Sequence, residues 1–249
     1  MKRISFCLNG EWDFMPLYGQ TQCHELPPTL VYEPEKVRVP SSWRGCSPTN
    51  YSIPEYQYAP MDVFEYPEAW READAGVLHR TFFVPPEMIG HRIFLQFDAV
   101  SQQAYIYLNG KCIAHDLEAF LPFEIDITDI VNMQGENDLC VLCSTFDYYN
   151  CEEKPNALTG LNGSWYCDFG RGLWQDVFLT ARSPIYLDDV EIVTSVKKHN
   201  IALYAELCNT LPHAVSAAVT FRIADGNSIV RELIVTTEIP GSESLTVCK

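Results

Sequence analysis

The stretch YIYLNGKCIA at residues 105–114 indicates the fold class more directly than any other part of the sequence. Two runs rich in apolar and aromatic residues flank Asn109-Gly110, a dipeptide typical of two-residue β-turns in which both residues take positive φ. This stretch therefore predicts a β-hairpin. Alternation of apolar and polar residues recurs at 123–128, and further strands are predicted at 93–100, 138–146 and 175–181. Since no long segment shows a helical period, we expect an all-β chain.

The sequence predicts a boundary between two domains near Ser183-Pro184. Residues 15–75, rich in Pro, Tyr and Trp, are predicted to form long ordered surface loops. Past the boundary, Asp225-Gly226 predicts another hairpin, and short strands are expected at 188–196, 200–208, 214–224, 228–238 and 243–248. An immunoglobulin-like sandwich needs about seven strands and about 100 residues. We therefore expect a first domain at 1–183 and an incomplete sandwich at 184–249.

Composition and charge exclude several classes of protein. Of 249 residues, 47% are hydrophobic and 20% charged, as in folded globular chains. The formal net charge of −16 argues against nucleic acid and anionic membrane partners, whereas a neutral sugar is compatible with it. No apolar run reaches the roughly 20 residues of a membrane helix. Asn9 and Glu11 interrupt the apolar start, so no signal peptide is expected and the protein is predicted to be cytoplasmic.

Ten cysteines with scattered spacing are expected to be reduced thiols. Cys140 and Cys143 form the one CxxC motif, within a predicted strand. Residues three apart in a strand point to opposite faces, so these two sulfurs are not expected to chelate zinc together. We expect no metal site and no cofactor.

Catalytic motifs are weak throughout the sequence. Neither G-x-S-x-G nor H-E-x-x-H occurs. Glu152-Glu153 is predicted to be a solvated pair. His79 and His115 are interpreted as ordinary loop or strand-end residues. Arg80 and Asp98 are interpreted as a structural ion pair, with ligand binding as the alternative.

Residues 162–177 concentrate aromatic, acidic and basic side chains in a loop that enters a strand. Trp165 could stack on the C–H face of a sugar, and Asp168 could accept hydrogen bonds from hydroxyls. The alternative is that Trp165 and Trp174 cover the core of the sandwich. Trp174, which is assigned to the strand that follows this loop, is expected in the core.

The sequence resembles glycoside hydrolase family 2, the group of β-galactosidases, β-glucuronidases and β-mannosidases. Six segments in the family's order carry the resemblance: LNGEWDF at 8–14, VPSSW at 39–43, LHRTFFVP at 78–85, FDAV at 97–100 with AYIYLNG at 104–110, PFEIDIT at 122–128, and GLWQDVFL at 172–179.

The resemblance implies a galactose-binding-like jelly-roll sandwich, the sugar-binding domain, followed by an immunoglobulin-like sandwich and a catalytic (β/α)8 barrel. The barrel supplies the two glutamates of retaining hydrolysis. We therefore expect no catalytic residue in this chain, a β-glycoside ligand, and the missing barrel as a partner. Homo-oligomers are common in the family. The alternative is a stand-alone carbohydrate-binding or interaction module, which the reading frame beyond codon 249 would distinguish.

The resemblance also implies substrate-binding residues in the 162–171 loop. Several family members place an aspartate six positions before the glycine of the closing signature, and counting back from Gly172 that position is Tyr166. Asp168 lies only four positions before it, so either a deletion moved the carboxylate or this subgroup lost it. The expected binding residues are Trp165, Tyr166, Asp168 and Arg171.

Overall fold

The fold was described from a computed structural model, in which residues 3–19, 23–43, 66–100, 103–118, 120–144 and 171–249 are described. These residues contain fifteen β-strands and two short 3₁₀ turns, at Glu68–Glu72 and Pro86–Met88. The all-β prediction is therefore confirmed. Within these ranges no helix is long and apolar enough to cross a membrane. The chain divides into two compact units, a first of Ile4–Ala181 and a second of Arg182–Lys249, to which Met1–Arg3 are also assigned.

The first unit contains ten strands, all paired antiparallel: β1 (Ile4–Cys7), β2 (Gly10–Leu17), β3 (Val37–Val39), β4 (Ala75–Phe83), β5 (Arg92–Phe97), β6 (Gln103–Leu108), β7 (Lys111–Asp116), β8 (Phe123–Asp126), β9 (Glu136–Ser144) and β10 (Val177–Arg182). Six of them form a sheet in the order β3-β2-β4-β9-β6-β7. The other four form a sheet in the order β1-β10-β5-β8.

One apolar core joins the two sheets into a sandwich. Side chains from both sheets belong to it, among them Trp12, Leu78 and Val141 from the larger sheet and Leu95 and Leu179 from the smaller one. A second, smaller cluster lies on the outer face of the six-stranded sheet, and residues of the segment 23–32 pack against it. The larger sheet is therefore covered on both faces.

The strand β9 shows the alternation that this double burial requires. Cys143 belongs to the core between the sheets, whereas Cys140 belongs to the cluster on the outer face. The prediction that these two cysteines point to opposite faces is confirmed, and it follows from the two-residue period of a strand.

The predicted hairpin at 105–114 is confirmed as β6 and β7. Asn109 and Gly110 have φ of 51° and 79°, as the turn type requires. The Asn109 side chain also fixes the turn against β9, because its Oδ1 accepts a hydrogen bond from the backbone N–H of Asp138 at 2.9 Å. The same side chain donates to Asn137 Oδ1 at 3.0 Å.

The second unit contains five strands: β11 (Ile185–Ser195), β12 (Asn200–Asn209), β13 (Val215–Asp225), β14 (Ser228–Ile239) and β15 (Glu243–Cys248). They form two sheets, β11-β12-β15 and β13-β14, around a core that includes Leu207, Phe221 and Val247. The hairpin predicted at Asp225-Gly226 forms. Its register pairs Asp225 with Ser228, so the turn residues are Gly226 and Asn227. The immunoglobulin-like assignment of this unit stays a prediction.

Candidate functional site

The predicted sugar loop joins the described structure at Arg171. Trp165, Tyr166 and Asp168 lie outside the described residues, so their predicted roles stay predictions. Arg171 is only 4% exposed, and its backbone N–H donates a 2.8 Å hydrogen bond to Ser42 Oγ. The backbone N–H of Ser41 donates to the carbonyl oxygen of Leu173 at 3.0 Å. The end of the loop is therefore attached to the segment 41–43.

Close packing at Gly172 secures the same junction. Gly172 has φ of 98°, and a Cβ built on it would lie 2.8 Å from two carbon atoms of the Trp43 indole. Trp43 is buried and its ring lies 5.0 Å from that of Phe14. Three of the family segments, which include Phe14, Trp43 and Gly172, thus meet in one part of the core.

Trp174 departs from its predicted place in the core. It is only partly buried, and its ring lies edge-on to Phe120 at 5.6 Å. Leu173 is the fully buried residue of this segment. The reason is that Trp174 precedes β10, which begins at Val177, so the alternation of that strand does not set its orientation.

A hydrogen-bonded network joins the first and last family segments. Asn9 Nδ2 donates to Asp176 Oδ1 at 2.8 Å, and Asn9 Oδ1 accepts from the backbone N–H of Val177 at 3.0 Å. Arg80 Nη1 donates to the carbonyl oxygens of Leu8 at 2.8 Å and Asn9 at 2.6 Å. These contacts give Arg80 a structural role in positioning the start of β2. The predicted pair with Asp98 was wrong, because Asp98 Oδ1 accepts from Gln96 Nε2 at 2.6 Å instead.

A second polar cluster, which sequence reasoning missed, lies on the outer face of the larger sheet. Asp13, His79 and Cys140 are directly opposite one another on β2, β4 and β9. His79 Nδ1 lies 3.0 Å from Asp13 Oδ2, and its Nε2 lies 2.9 Å from Asp138 Oδ2. The prediction that His79 is an ordinary loop or strand-end residue was wrong, because it lies within β4 and bridges two carboxylates.

The surroundings of this cluster shift the pKa of several members. Burial, together with the nearby Asp138 charge, raises the pKa of the Cys140 thiol to about 12. Burial acts on Asp13 in the same direction, but hydrogen bonds from Lys36 and His79 outweigh it and lower the pKa of that carboxyl. The Tyr32 ring stacks on His79 with centroids 5.0 Å apart. Only the strand register, which a single sequence does not give, brings these residues together.

Comparison with known proteins places the sandwich in a family. The model of "Glycosyl hydrolases family 2, sugar binding domain" matches residues 6–180. The chain therefore belongs to glycosyl hydrolase family 2, as the resemblance predicted.

Curated relatives cover most of this chain, but the chain covers little of them. A β-galactosidase from Alteromonas mediterranea is 24% identical over 93% of this chain and 22% of its own length. A β-galactosidase from Clostridium acetobutylicum is 28% identical over 96% of this chain and 26% of its own length. The chain thus spans about a quarter of the length of these relatives.

Solved structures agree on the fold. A β-glucuronidase from Bacteroides uniformis superposes with a TM-score of 0.69 and 17% identity, over 100% of this chain and 27% of that protein. A protein described as a putative β-galactosidase from Bacteroides fragilis gives a TM-score of 0.67 and 17% identity, over 100% of this chain and 35% of that one. At these identities the likeness concerns the fold alone.

Proposed function

We propose that this chain is the non-catalytic sugar-binding region of a family 2 type β-glycosidase, and that its 162–171 loop forms one wall of the sugar cleft. The observation that carries the proposal is the attachment of this loop at its base. Ser41, Ser42 and Trp43 hold residues 171–173 through two backbone hydrogen bonds and the packing of Trp43 on Gly172. This attachment gives the predicted binding residues, which precede Arg171 in the sequence, a fixed point on the sandwich from which to reach a sugar.

Each predicted binding residue has a distinct role in this proposal. Trp165 offers an aromatic face to sugar C–H groups. Asp168 and Tyr166 offer oxygen atoms to hydroxyls, and the Arg171 guanidinium is a donor near the base of the loop. A single wall encloses little of a monosaccharide, compared with the 70–90% of a ligand that enclosed pockets bury. We therefore expect affinities on the order of millimolar or weaker for this chain alone.

The substrate class of the whole protein is proposed as β-glycosides without a choice of sugar. Named relatives include β-galactosidases, β-glucuronidases and a β-mannosidase. Hydrolysis of the glycosidic bond is assigned to the barrel domain that the family resemblance implies. That domain is the proposed partner of this region, and the complete enzyme is proposed to be a homo-oligomer.

Cytoplasmic localisation is part of the same proposal. The seven cysteines among the described residues, Cys7, Cys23, Cys112, Cys140, Cys143, Cys208 and Cys248, are free thiols. Free thiols in this number are typical of proteins in a reducing compartment.

Saccharide titration followed by NMR tests the proposed site. We expect methyl β-glycosides at millimolar concentration to shift amide signals of residues 162–171, and Trp165→Ala and Asp168→Ala to abolish these shifts. Asp225→Ala, the same substitution at an exposed hairpin of the second unit, is the matched control and should leave them unchanged. The site is excluded if the sugars shift no amide signals of residues 162–171 in the unsubstituted chain. It is also excluded if the same shifts persist in both loop variants.

A further inference from the structure

Three different metal-binding side chains meet on the outer face of the larger sheet. The donor atoms of His79, Asp138 and Cys140 all lie within 4.8 Å of one another. Backbone register explains the meeting, because His79 on β4 is directly opposite Cys140 on β9, and Asp138 precedes Cys140 by two residues on the same face. None of these residues belongs to the predicted sugar loop.

We propose that His79 Nε2, an Asp138 carboxylate oxygen and Cys140 Sγ bind a divalent transition metal ion of the zinc type. Imidazole nitrogen and thiolate sulfur favour zinc and its neighbours in the first transition row, whereas magnesium and calcium select oxygen ligands. On binding, the S–H bond of Cys140 breaks, its proton passes to solvent and the sulfur forms a bond to the metal. Thiolate and carboxylate together then balance the two positive charges of the ion.

The distances are close to those that a tetrahedral ion needs. Zinc bonds of about 2.0–2.3 Å place neighbouring ligand atoms about 3.3–3.7 Å apart. Cys140 Sγ lies 3.5 Å from Asp138 Oδ1, and His79 Nε2 lies 2.9 Å from Asp138 Oδ2. Small side-chain rotations therefore suffice, and Asp138, whose side chain is 55% exposed, is free to make them. The same exposure gives an ion an entry path and leaves a fourth position for water.

The outer contacts of His79 are those of a metal-ligating histidine. Its other ring nitrogen, Nδ1, lies 3.0 Å from Asp13 Oδ2, and Lys36 Nζ donates to Asp13 Oδ1 at 2.6 Å. When Nδ1 donates its proton to Asp13, the lone pair of Nε2 faces Asp138 and Cys140. Carboxylates placed in this way fix the orientation and tautomer of histidine ligands. Tyr32, stacked on the ring, restrains it further.

The competing interpretation is a purely structural bridge, in which His79 links two carboxylates and Cys140 is only a buried thiol. This interpretation predicts that no metal ion forms a bond to Cys140 Sγ. Cobalt(II) distinguishes the two, because a cobalt–thiolate bond produces a charge-transfer absorption that a histidine–carboxylate bridge does not.

The experiment is a Co²⁺ titration of the full chain after treatment with EDTA and removal of the chelator. We expect one ion per chain by elemental analysis, with a thiolate-to-cobalt absorption band that excess Zn²⁺ removes. Cys140→Ser should abolish the band. Asp13→Asn, which alters the outer contact of His79 and leaves the three proposed ligands in place, should weaken binding about 10–100-fold.

Matched variants keep the test decisive. Cys112→Ser, at an exposed cysteine of β7 on the same sheet, should bind Co²⁺ like the unsubstituted chain. If Cys140→Ser fails to fold by circular dichroism, the exposed Asp138→Asn takes its place and should weaken binding more than Asp13→Asn does. A band that persists in Cys140→Ser, that Cys112→Ser removes, or that never appears would overturn the proposal.

Discussion

Gly172 links the sugar loop to the core through a backbone conformation that other residues rarely adopt. Its φ of 98° disfavours any residue with a Cβ, and the indole of Trp43 occupies the place that a Cβ would take. The two effects are independent. A second glycine, Gly110, has a φ of 79° but open space where its Cβ would be. The two positions therefore allow strain and collision to be measured separately.

Gly172→Ala should destabilise the first unit by about 2–4 kcal/mol, the sum of backbone strain and overpacking. Gly110→Ala should cost only the strain, about 1–2 kcal/mol. Urea unfolding followed by tryptophan fluorescence measures both. Equal losses in the two variants would show that Trp43 moves aside and that the contact with Gly172 is not a tight one.

Asp126 gives the first unit an acid-sensitive contact. Burial acts to raise its pKa, but hydrogen bonds from Thr128 and Arg92 outweigh this and lower it. Because the carboxyl has a lower pKa in the folded than in the unfolded chain, its stabilisation is present above the unfolded value near 3.8 and is lost as pH falls through the folded value.

Asp126→Asn should therefore lower the Tm at neutral pH and flatten its decline between about pH 5 and pH 3. Thermal unfolding across this range measures both changes. Asp225→Asn, at the exposed hairpin turn of the second unit, is the control and should follow the unsubstituted chain. A decline in Tm as steep in Asp126→Asn as in the unsubstituted chain would mean that other groups dominate acid unfolding.

Among the strands, features that follow from a local sequence pattern could be predicted, and features that depend on strand pairing could not. The hairpin at 105–114 and the opposite faces of Cys140 and Cys143 follow from local turn chemistry and a two-residue period. The cluster around His79 does not, because it depends on which strand lies beside which and in what register. The position of Trp174 was missed for a related reason, since the strand it was assigned to begins three residues later.

Residue type alone suggested sugar contacts for Trp165 and Asp168, whereas the resemblance was needed to single out the position of Tyr166. Trp165, Tyr166 and Asp168 lie outside the described residues, so their places stay predictions. Periodicity and turn chemistry describe strands, and a loop of irregular backbone leaves neither signal. The attachment of its base by Ser42 was not predicted either, because that contact joins residues 129 positions apart.

Hydrogen exchange should separate the strands of the two units. Central strands β4 and β9 are paired on both sides and carry fully buried residues such as Leu78 and Val141. Strand β14 pairs with β13 in a two-stranded sheet and exposes Ile229, Val230 and Ile234. We expect amides of β14 to exchange at least roughly tenfold faster than those of β4 and β9. Equal protection would indicate that the two units unfold together.

In the proposed whole protein, this chain contributes to sugar binding and the barrel domain carries out hydrolysis. Retaining hydrolysis needs two carboxyl groups about 5–5.5 Å apart across the scissile bond. The family resemblance assigns both to a barrel domain, and this chain spans about a quarter of the length of its relatives. Residues 1–249 alone should therefore bind sugar weakly and hydrolyse none.

The measurement is release of nitrophenol from nitrophenyl β-galactoside, β-glucuronide and β-mannoside by the purified chain, made in a host without β-galactosidase. We expect rates equal to those of a parallel preparation from an empty vector. Trp165→Ala separates contamination from true activity, because it alters the proposed sugar wall and leaves a contaminating enzyme unchanged. Turnover that co-elutes with the chain and falls in Trp165→Ala would place a catalytic centre within these 249 residues and refute the non-catalytic role.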